Sequence, residues 1–439
     1  MEYKIKVISL GCDKNLVDSE NMMGILKKDS FTFTPNIVDA DIVIINTCGF
    51  IESAKEESIE KIFEVVSQRK KGQVIIVAGC LAQRYYKELM EEIPEIDGVV
   101  GTGSFHKITK AINQCIEGEK TLLVDTPDKY EFYDLPRIYT TSKPTAYIKI
   151  AEGCSNRCSY CIIPELRGSY RSRPKEFVLK EIAALRQKGI KEAILVAQDT
   201  TSYGYDLYNN YRLKDLLLDI CNTTDIEWVR LLYCYPTRIE EDLLKVIAAN
   251  KQICNYLDIP LQHCSDKILK KMGRPFDKSY INLLIDNIRC EIPEISIRST
   301  FIVGFPGETD IDFEELLCFL EEKKIDKVGF FMYSEEEGTP ASRIPNKVPE
   351  EVKRKRFSKV YELQMDISLK INQKLKNRIL KVLIEGYDEE KRMYYGRSYR
   401  EAPDVDGLIY VKGKQLKLHE FYNVQIKQCY EYDLTGEVL

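Results

Sequence analysis

The sequence predicts a three-part α/β protein. An N-terminal doubly wound parallel α/β domain comes first, then a central partial barrel of six βα units, then a small antiparallel β-barrel. Three observations predict this. Short β-branched runs alternate with amphipathic helical stretches from the start of the chain. The alternation restarts at Thr145, after a polar stretch, Asp125 to Pro144, that carries three prolines. From about Asn377 the pattern changes to short strands between polar turns. The boundaries are 1–125, a linker over 126–144, 145–372 including a closing helix, and 373–439.

In the first part, strands are expected at Lys4–Leu10, Asp41–Asn46, Gln73–Ala78 and Gly98–Gly101. Helices are expected over Asn15–Lys28, Glu52–Gln68 and Gln83–Glu92, with a last one from near Phe105. Continuous apolar strands between helices mean a parallel sheet covered on both faces. Cys12, Cys48 and Cys80 each follow one of the first three strands, and each has a glycine beside it. All three strand ends lie on the edge where open α/β folds bind ligands. Such cysteines are either packing residues or, gathered by topology, a three-thiolate site.

In the central part, strands are expected at Thr145–Ile150, Ala193–Gln198, Trp228–Tyr233, Tyr256–Pro260, Ser296–Gly304 and Lys327–Tyr333, with helices between them. The first strand runs into Glu152-Gly-Cys-Ser-Asn-Arg-Cys-Ser-Tyr-Cys161, where Cys154, Cys158 and Cys161 are spaced C-x-x-x-C-x-x-C. Three thiolates are one short of the set that usually holds a cubane iron–sulfur cluster. A structural zinc site normally closes with four ligands, and no further Cys or His lies nearby in sequence. An incomplete set leaves one iron free for a small molecule. Polar groups at other strand ends suit such a ligand: Gln198, Asp199, Gln262, Arg298 and the Gly304 turn. Arg298 could equally pair with an acidic neighbour.

The last part begins with a charged helix over Val348–Lys376. Short strands follow at Ile379–Ile384, Met393–Arg397, Leu408–Val411 and Val424–Gln428, as in a small barrel of the oligonucleotide-binding type. Between Asn377 and Leu439 there are ten Lys or Arg and eleven Asp or Glu, so this barrel lacks the positive excess that phosphate binding wants.

Composition bounds the function. The 439 residues are 44% hydrophobic and 30% charged, as in a globular chain. Sixty-four basic against 69 acidic residues give a net charge of −5, which argues against broad nucleic-acid binding and suits a basic protein partner. No apolar stretch approaches the ~20 residues of a membrane helix, and the start has no cleavage-site pattern. A cytoplasmic chain, monomeric and with no membrane association, is expected. Fourteen cysteines in a reducing compartment point to metal or redox chemistry rather than disulfides.

The cysteine loop, with Tyr160 before its last cysteine, resembles the signature of the radical S-adenosylmethionine enzymes. The whole chain resembles the methylthiotransferases of that superfamily, whose third domain is of the TRAM type. Ser9-Leu-Gly-Cys-Asp-Lys-Asn-Leu-Val-Asp-Ser-Glu20, Asn46-Thr-Cys-Gly-Phe50, Ile163-Pro-Glu-Leu-Arg-Gly168 and Arg171-Ser-Arg-Pro174 carry the resemblance. The first of these looks like the type that modifies a ribosomal protein. The resemblance implies two [4Fe–4S] clusters, on Cys154, Cys158 and Cys161 and on Cys12, Cys48 and Cys80. It also implies S-adenosylmethionine as cofactor, contacted by Tyr160, Gln198, Asp199, Gln262, Arg298 and Gly304. The implied reaction adds a methylthio group to the β-carbon of an aspartate in the small-subunit ribosomal protein numbered twelve. An electron donor such as flavodoxin or ferredoxin is implied as well. The alternatives are a tRNA adenosine methylthiotransferase and a non-catalytic iron–sulfur carrier.

Overall fold

A computed structural model describes residues 3–129, 134–141 and 144–439. Parts of the expected linker, 130–133 and 142–143, lie outside the described residues. The N-terminal sheet has six parallel strands: β1 (Lys4–Ser9), β2 (Thr32–Phe33), β3 (Ile42–Thr47), β4 (Val74–Gly79), β5 (Gly98–Val100) and β6 (Thr121–Leu123). Their spatial order is β2-β1-β3-β4-β5-β6. β2 and β6 were not expected, because two or three residues are too few to show a period. Every residue of β3 and β4 is buried. One face packs Ile42, Ile44 and Ile76 under the helices Asp13–Lys28 and Ile108–Ile116. The other packs Val43, Ile45 and Val77 under the helix Glu52–Ser67. The order reverses between β1 and β3, so the crevice at their C-terminal ends is the switch point of this sheet.

The central domain holds a second parallel sheet, built from β7 (Thr145–Lys149), β10 (Glu192–Val196), β11 (Trp228–Leu231), β12 (Ile253–Asp258), β13 (Ser296–Val303) and β14 (Lys327–Met332). The order β14-β13-β12-β11-β10-β7 is sequential, and the edge strands β14 and β7 do not pair, so the sheet stays open as the expected half-barrel requires. A two-residue pair, β8 (Ala151–Glu152) with β9 (Arg171–Ser172), frames the cysteine loop. Strand side chains alternate between faces. Ala193, Leu195, Val229 and Leu231 pack against the helices. Ile194, Val196, Trp228 and Tyr256 face the other way and meet Leu383 and Ala402 of the C-terminal domain.

That domain is a closed five-stranded barrel: β15 (Ile379–Asp388), β16 (Met393–Arg397), β17 (Ile409–Lys412), β18 (Phe421–Cys429) and β19 (Leu434–Val438). Four of its pairings are antiparallel. β17 and β19 pair in parallel, so closure departs from the expected all-antiparallel pattern. The barrel caps one face of the half-barrel through an ion cluster in which Glu192, Arg230 and Arg397 have no exposed side-chain surface. Glu192 accepts from Arg230 at 2.6 Å and from Arg397 at 2.7 Å. Arg397 also pairs with Glu385 at 2.6 Å. At the other junction, Arg137 of the connecting segment donates to Glu20 of the first domain and Glu181 of the second.

Candidate functional site

Three strand-end loops of the N-terminal domain bring Cys12, Cys48 and Cys80 together, and glycines make this possible. Gly11 has φ +80°, and a Cβ there would lie 2.7 Å from the Cys48 Cβ. A Cβ on Gly49 would lie 2.9 Å from the Leu81 backbone. Gly79, at φ +94°, would press one onto Asn46 and Thr47. Each loop therefore touches the next at backbone distance. The Cys48 N–H is held by Ser58 Oγ at 3.0 Å. Cys80 opens the short helix Cys80–Arg84, three residues earlier than the helix expected from the sequence. Burial pushes the Cys80 thiol up to about 12, with Arg167 opposing and Cys12 and Cys48 adding to the rise. Cys48 is raised chiefly by burial, with Cys12 again adding to it.

Cys154, Cys158 and Cys161 share the loop after β8. Gly153, at φ +75°, lets this loop cross the Gly168–Ser169 backbone, where a Cβ would meet the Ser169 carbonyl at 2.1 Å. The Cys154 N–H donates to the Gly168 carbonyl at 3.0 Å. Ser159 is pinned to the Met272 carbonyl through its N–H at 2.9 Å and to the Lys271 carbonyl through its hydroxyl at 2.7 Å. Tyr160 packs beside Ile268, Met272, Phe305 and Tyr333. Burial pushes Cys154 up to about 11 and Cys161 up to about 12, with Cys158 adding to both.

The two sets are neighbours. Cys80, Ile162 and Leu166 form one small apolar cluster with Phe50. Arg167, in the short helix Ile163–Arg167, reaches Cys80 Sγ at 3.5 Å, Asp18 at 2.7 Å and Glu152 at 3.1 Å, and also donates to Asn15. Lys149 pairs with the same Asp18 and Glu152. Beside them, Lys14 Nζ lies 3.4 Å from the Tyr233 ring centroid, and the Tyr233 hydroxyl donates to Asp13 at 3.3 Å. Sequence reasoning assigned no role to Arg167, Asn15 or Glu152. The signal available was a motif with an arginine six residues after Cys161.

The other expected contacts divide. Gln198 donates to Glu152 at 3.0 Å, and its Oε1 is buried without a partner. Asp199 turns its oxygens to Thr201, Ser202, Asn156 and Arg238, so it braces the cysteine loop through Asn156. Gln262 has φ +75° and bridges to Phe301. Arg298 pairs with Asp258 at 3.1 Å and Asp406 at 3.6 Å. The Gly304 N–H donates to Glu308 at 2.7 Å, and Glu308 is held in turn by Arg356. Among the described residues, no three His, Cys, Asp or Glu side chains converge tightly enough for a single metal ion. A polynuclear cluster is ligated at its corners, so its thiolates stand further apart than those around one ion. The donor sets and the glycine cradle fit such clusters.

Family models match the chain in three segments: an uncharacterised protein family, UPF0004, over residues 4–101, the radical SAM superfamily over 148–320, and the TRAM domain over 378–439. The chain is 49% identical over 440 residues to the ribosomal protein uS12 methylthiotransferase RimO of Desulforamulus reducens, covering 99% of each chain. It is also 49% identical over 443 residues to the RimO of Pelotomaculum thermopropionicum, covering 100% of each. The chain belongs to the RimO family of methylthiotransferases. The fold extends beyond that family. A radical S-adenosylmethionine methyltransferase, TsrM, from Kitasatospora setae aligns at TM-score 0.56 and 14% identity, over 87% of this chain and 81% of that one. All three segments lie in this one chain, and no described helix here is long and apolar enough to cross a membrane.

Proposed function

We propose that this chain is the enzyme that adds a methylthio group to ribosomal protein uS12, at the β-carbon of an aspartate. It is expected to act as a cytoplasmic monomer, fed electrons by a flavodoxin or ferredoxin. Cys154, Cys158 and Cys161 would hold one [4Fe–4S] cluster, with S-adenosylmethionine at its open iron. Cys12, Cys48 and Cys80 would hold a second. When bound, these groups supply the hydrogen-abstracting radical, the sulfur and the methyl group. The observation that carries the proposal is the bridge from Cys80 through Arg167 to Glu152, two residues before Cys154.

The chain's own side chains hold this arrangement. Arg167 and Lys149 pair with Asp18 across the domain junction and with Glu152 on their own side of it, fixing one sheet edge against the other. Glu308 grips the Gly304 and Phe305 amides, setting the turn that would contact S-adenosylmethionine. Gln198 Oε1 and Asp13 Oδ2 are buried acceptors without partners, ready for donors on incoming ligands. The test is to incubate reconstituted, reduced protein with S-adenosylmethionine and either uS12 or tRNA. Methylthio product on uS12 is expected, and product on tRNA alone would overturn the assignment.

A further inference from the structure

Arg274 lies in the turn between the helix Asp266–Lys271 and the helix Lys278–Glu291. It is 7% exposed. One N–H reaches Cys158 Sγ at 3.7 Å and another donates to the Pro260 carbonyl. Its Nε is buried without a partner. The guanidinium lies 4.7 Å from the Tyr235 ring centroid and 5.5 Å from that of Phe276. Among the described residues, no acidic side chain forms an ion pair with it. The contrast with Arg167 is direct, since that arginine shares two carboxylates with Lys149. A buried cation left without a counter-ion is strongly unfavourable. Aromatic faces offset only a small part of that cost.

We propose that Arg274 is a positioning residue whose missing counter-charge is the anionic cluster held by Cys154, Cys158 and Cys161. Its N–H on the Cys158 sulfur and its buried charge favour the more reduced, more negative state of that cluster. Hydrogen bonds to the sulfurs and local charge both set the potential of such centres. The inference rests on the cluster assignment made above, and it concerns this cysteine loop alone.

Two measurements test it. In a background with Cys12, Cys48 and Cys80 replaced by alanine, only the loop cluster loads, at about four iron atoms per chain. There Arg274→Gln is expected to move the midpoint potential, read by EPR-monitored titration, to lower values, and Arg274→Lys to recover most of the shift. In the complementary background, Cys154, Cys158 and Cys161 all to alanine, Arg274→Gln is expected to leave the other cluster's potential in place. An unmoved loop potential, or an equal shift at both clusters, overturns the inference and leaves the assignment standing. Failure of the first background to hold iron overturns both. Melting of Arg274→Met in the full chain is the second readout. The metal-free variant is expected to melt above the metal-free parent, and the loaded variant below the loaded parent. A variant less stable in both forms would mark a merely structural arginine.

Discussion

At the scale of single residues, the proposed assignment divides the labour between the two cysteine sets, so each can be tested alone. Replacing Cys12, Cys48 or Cys80 by alanine should lower iron from about eight to about four atoms per chain. Methylthiolation of uS12 should be lost while S-adenosylmethionine cleavage continues. Cys154→Ala should abolish cleavage as well. Iron analysis and product detection by mass spectrometry check both outcomes. The glycines beside these cysteines should be as sensitive as the cysteines. Gly49→Ala places a Cβ 2.9 Å from the Leu81 backbone, where no flexible side chain can give way. Overpacking of this kind costs about 1–3 kcal/mol. Urea denaturation should show that loss, together with poorer iron retention.

At the scale of elements, the turn and helix after β13 show how local sequence signals become geometry. Thr309 and Asp312 form a reciprocal capping box at the start of the helix Asp310–Lys323. Thr309→Ala should cost about 1 kcal/mol and loosen the Glu308 turn beside it, read as a lower melting temperature and a higher KM for S-adenosylmethionine. Such local signals made much of the fold legible in the sequence. The long strands β3, β4 and β13 announced themselves by β-branched runs, and the three-cysteine loop by its spacing. The two-residue β2 and three-residue β6 did not, because so short a segment takes its conformation from its neighbours in the sheet. The buried roles of Arg167 and Arg274 were illegible for another reason. A buried arginine looks like a surface one until its partners are placed, and Arg167's partners include Asn15, 152 positions away. Arg298 could be read both ways from sequence, and in the fold it pairs with Asp258 and Asp406.

At the scale of the whole molecule, the C-terminal barrel is as much a wall of the central domain as a module of its own. The chain's single tryptophan, Trp228, packs edge-on against Phe421 across this seam, with ring centroids 4.7 Å apart. Its fluorescence therefore reports docking of the barrel. Arg397→Met leaves Glu385 without its partner and Glu192 with only Arg230. Breaking a buried pair on one side costs about 3–5 kcal/mol, and urea titrations followed through Trp228 should show it. Acid should loosen the same seam. Burial pushes the Glu192 carboxyl up, but Arg397 and Arg230 override this and hold it below its ordinary 4.5. Its stabilisation is thus complete above pH 4.5 and is lost as pH falls through the lower folded value. A red shift of Trp228 emission below pH 4.5, flattened in Glu192→Gln, is the expected signature. The seam also carries a consequence for how the chain is made. Glu192 and Arg397 are 205 positions apart. At about 5–20 residues per second, the face bearing Glu192, Arg230 and Trp228 waits roughly 10–40 s for the segment that covers it. A nascent chain stalled in that interval offers its apolar side to chaperones, so the later-made barrel decides when the middle domain is safe from aggregation.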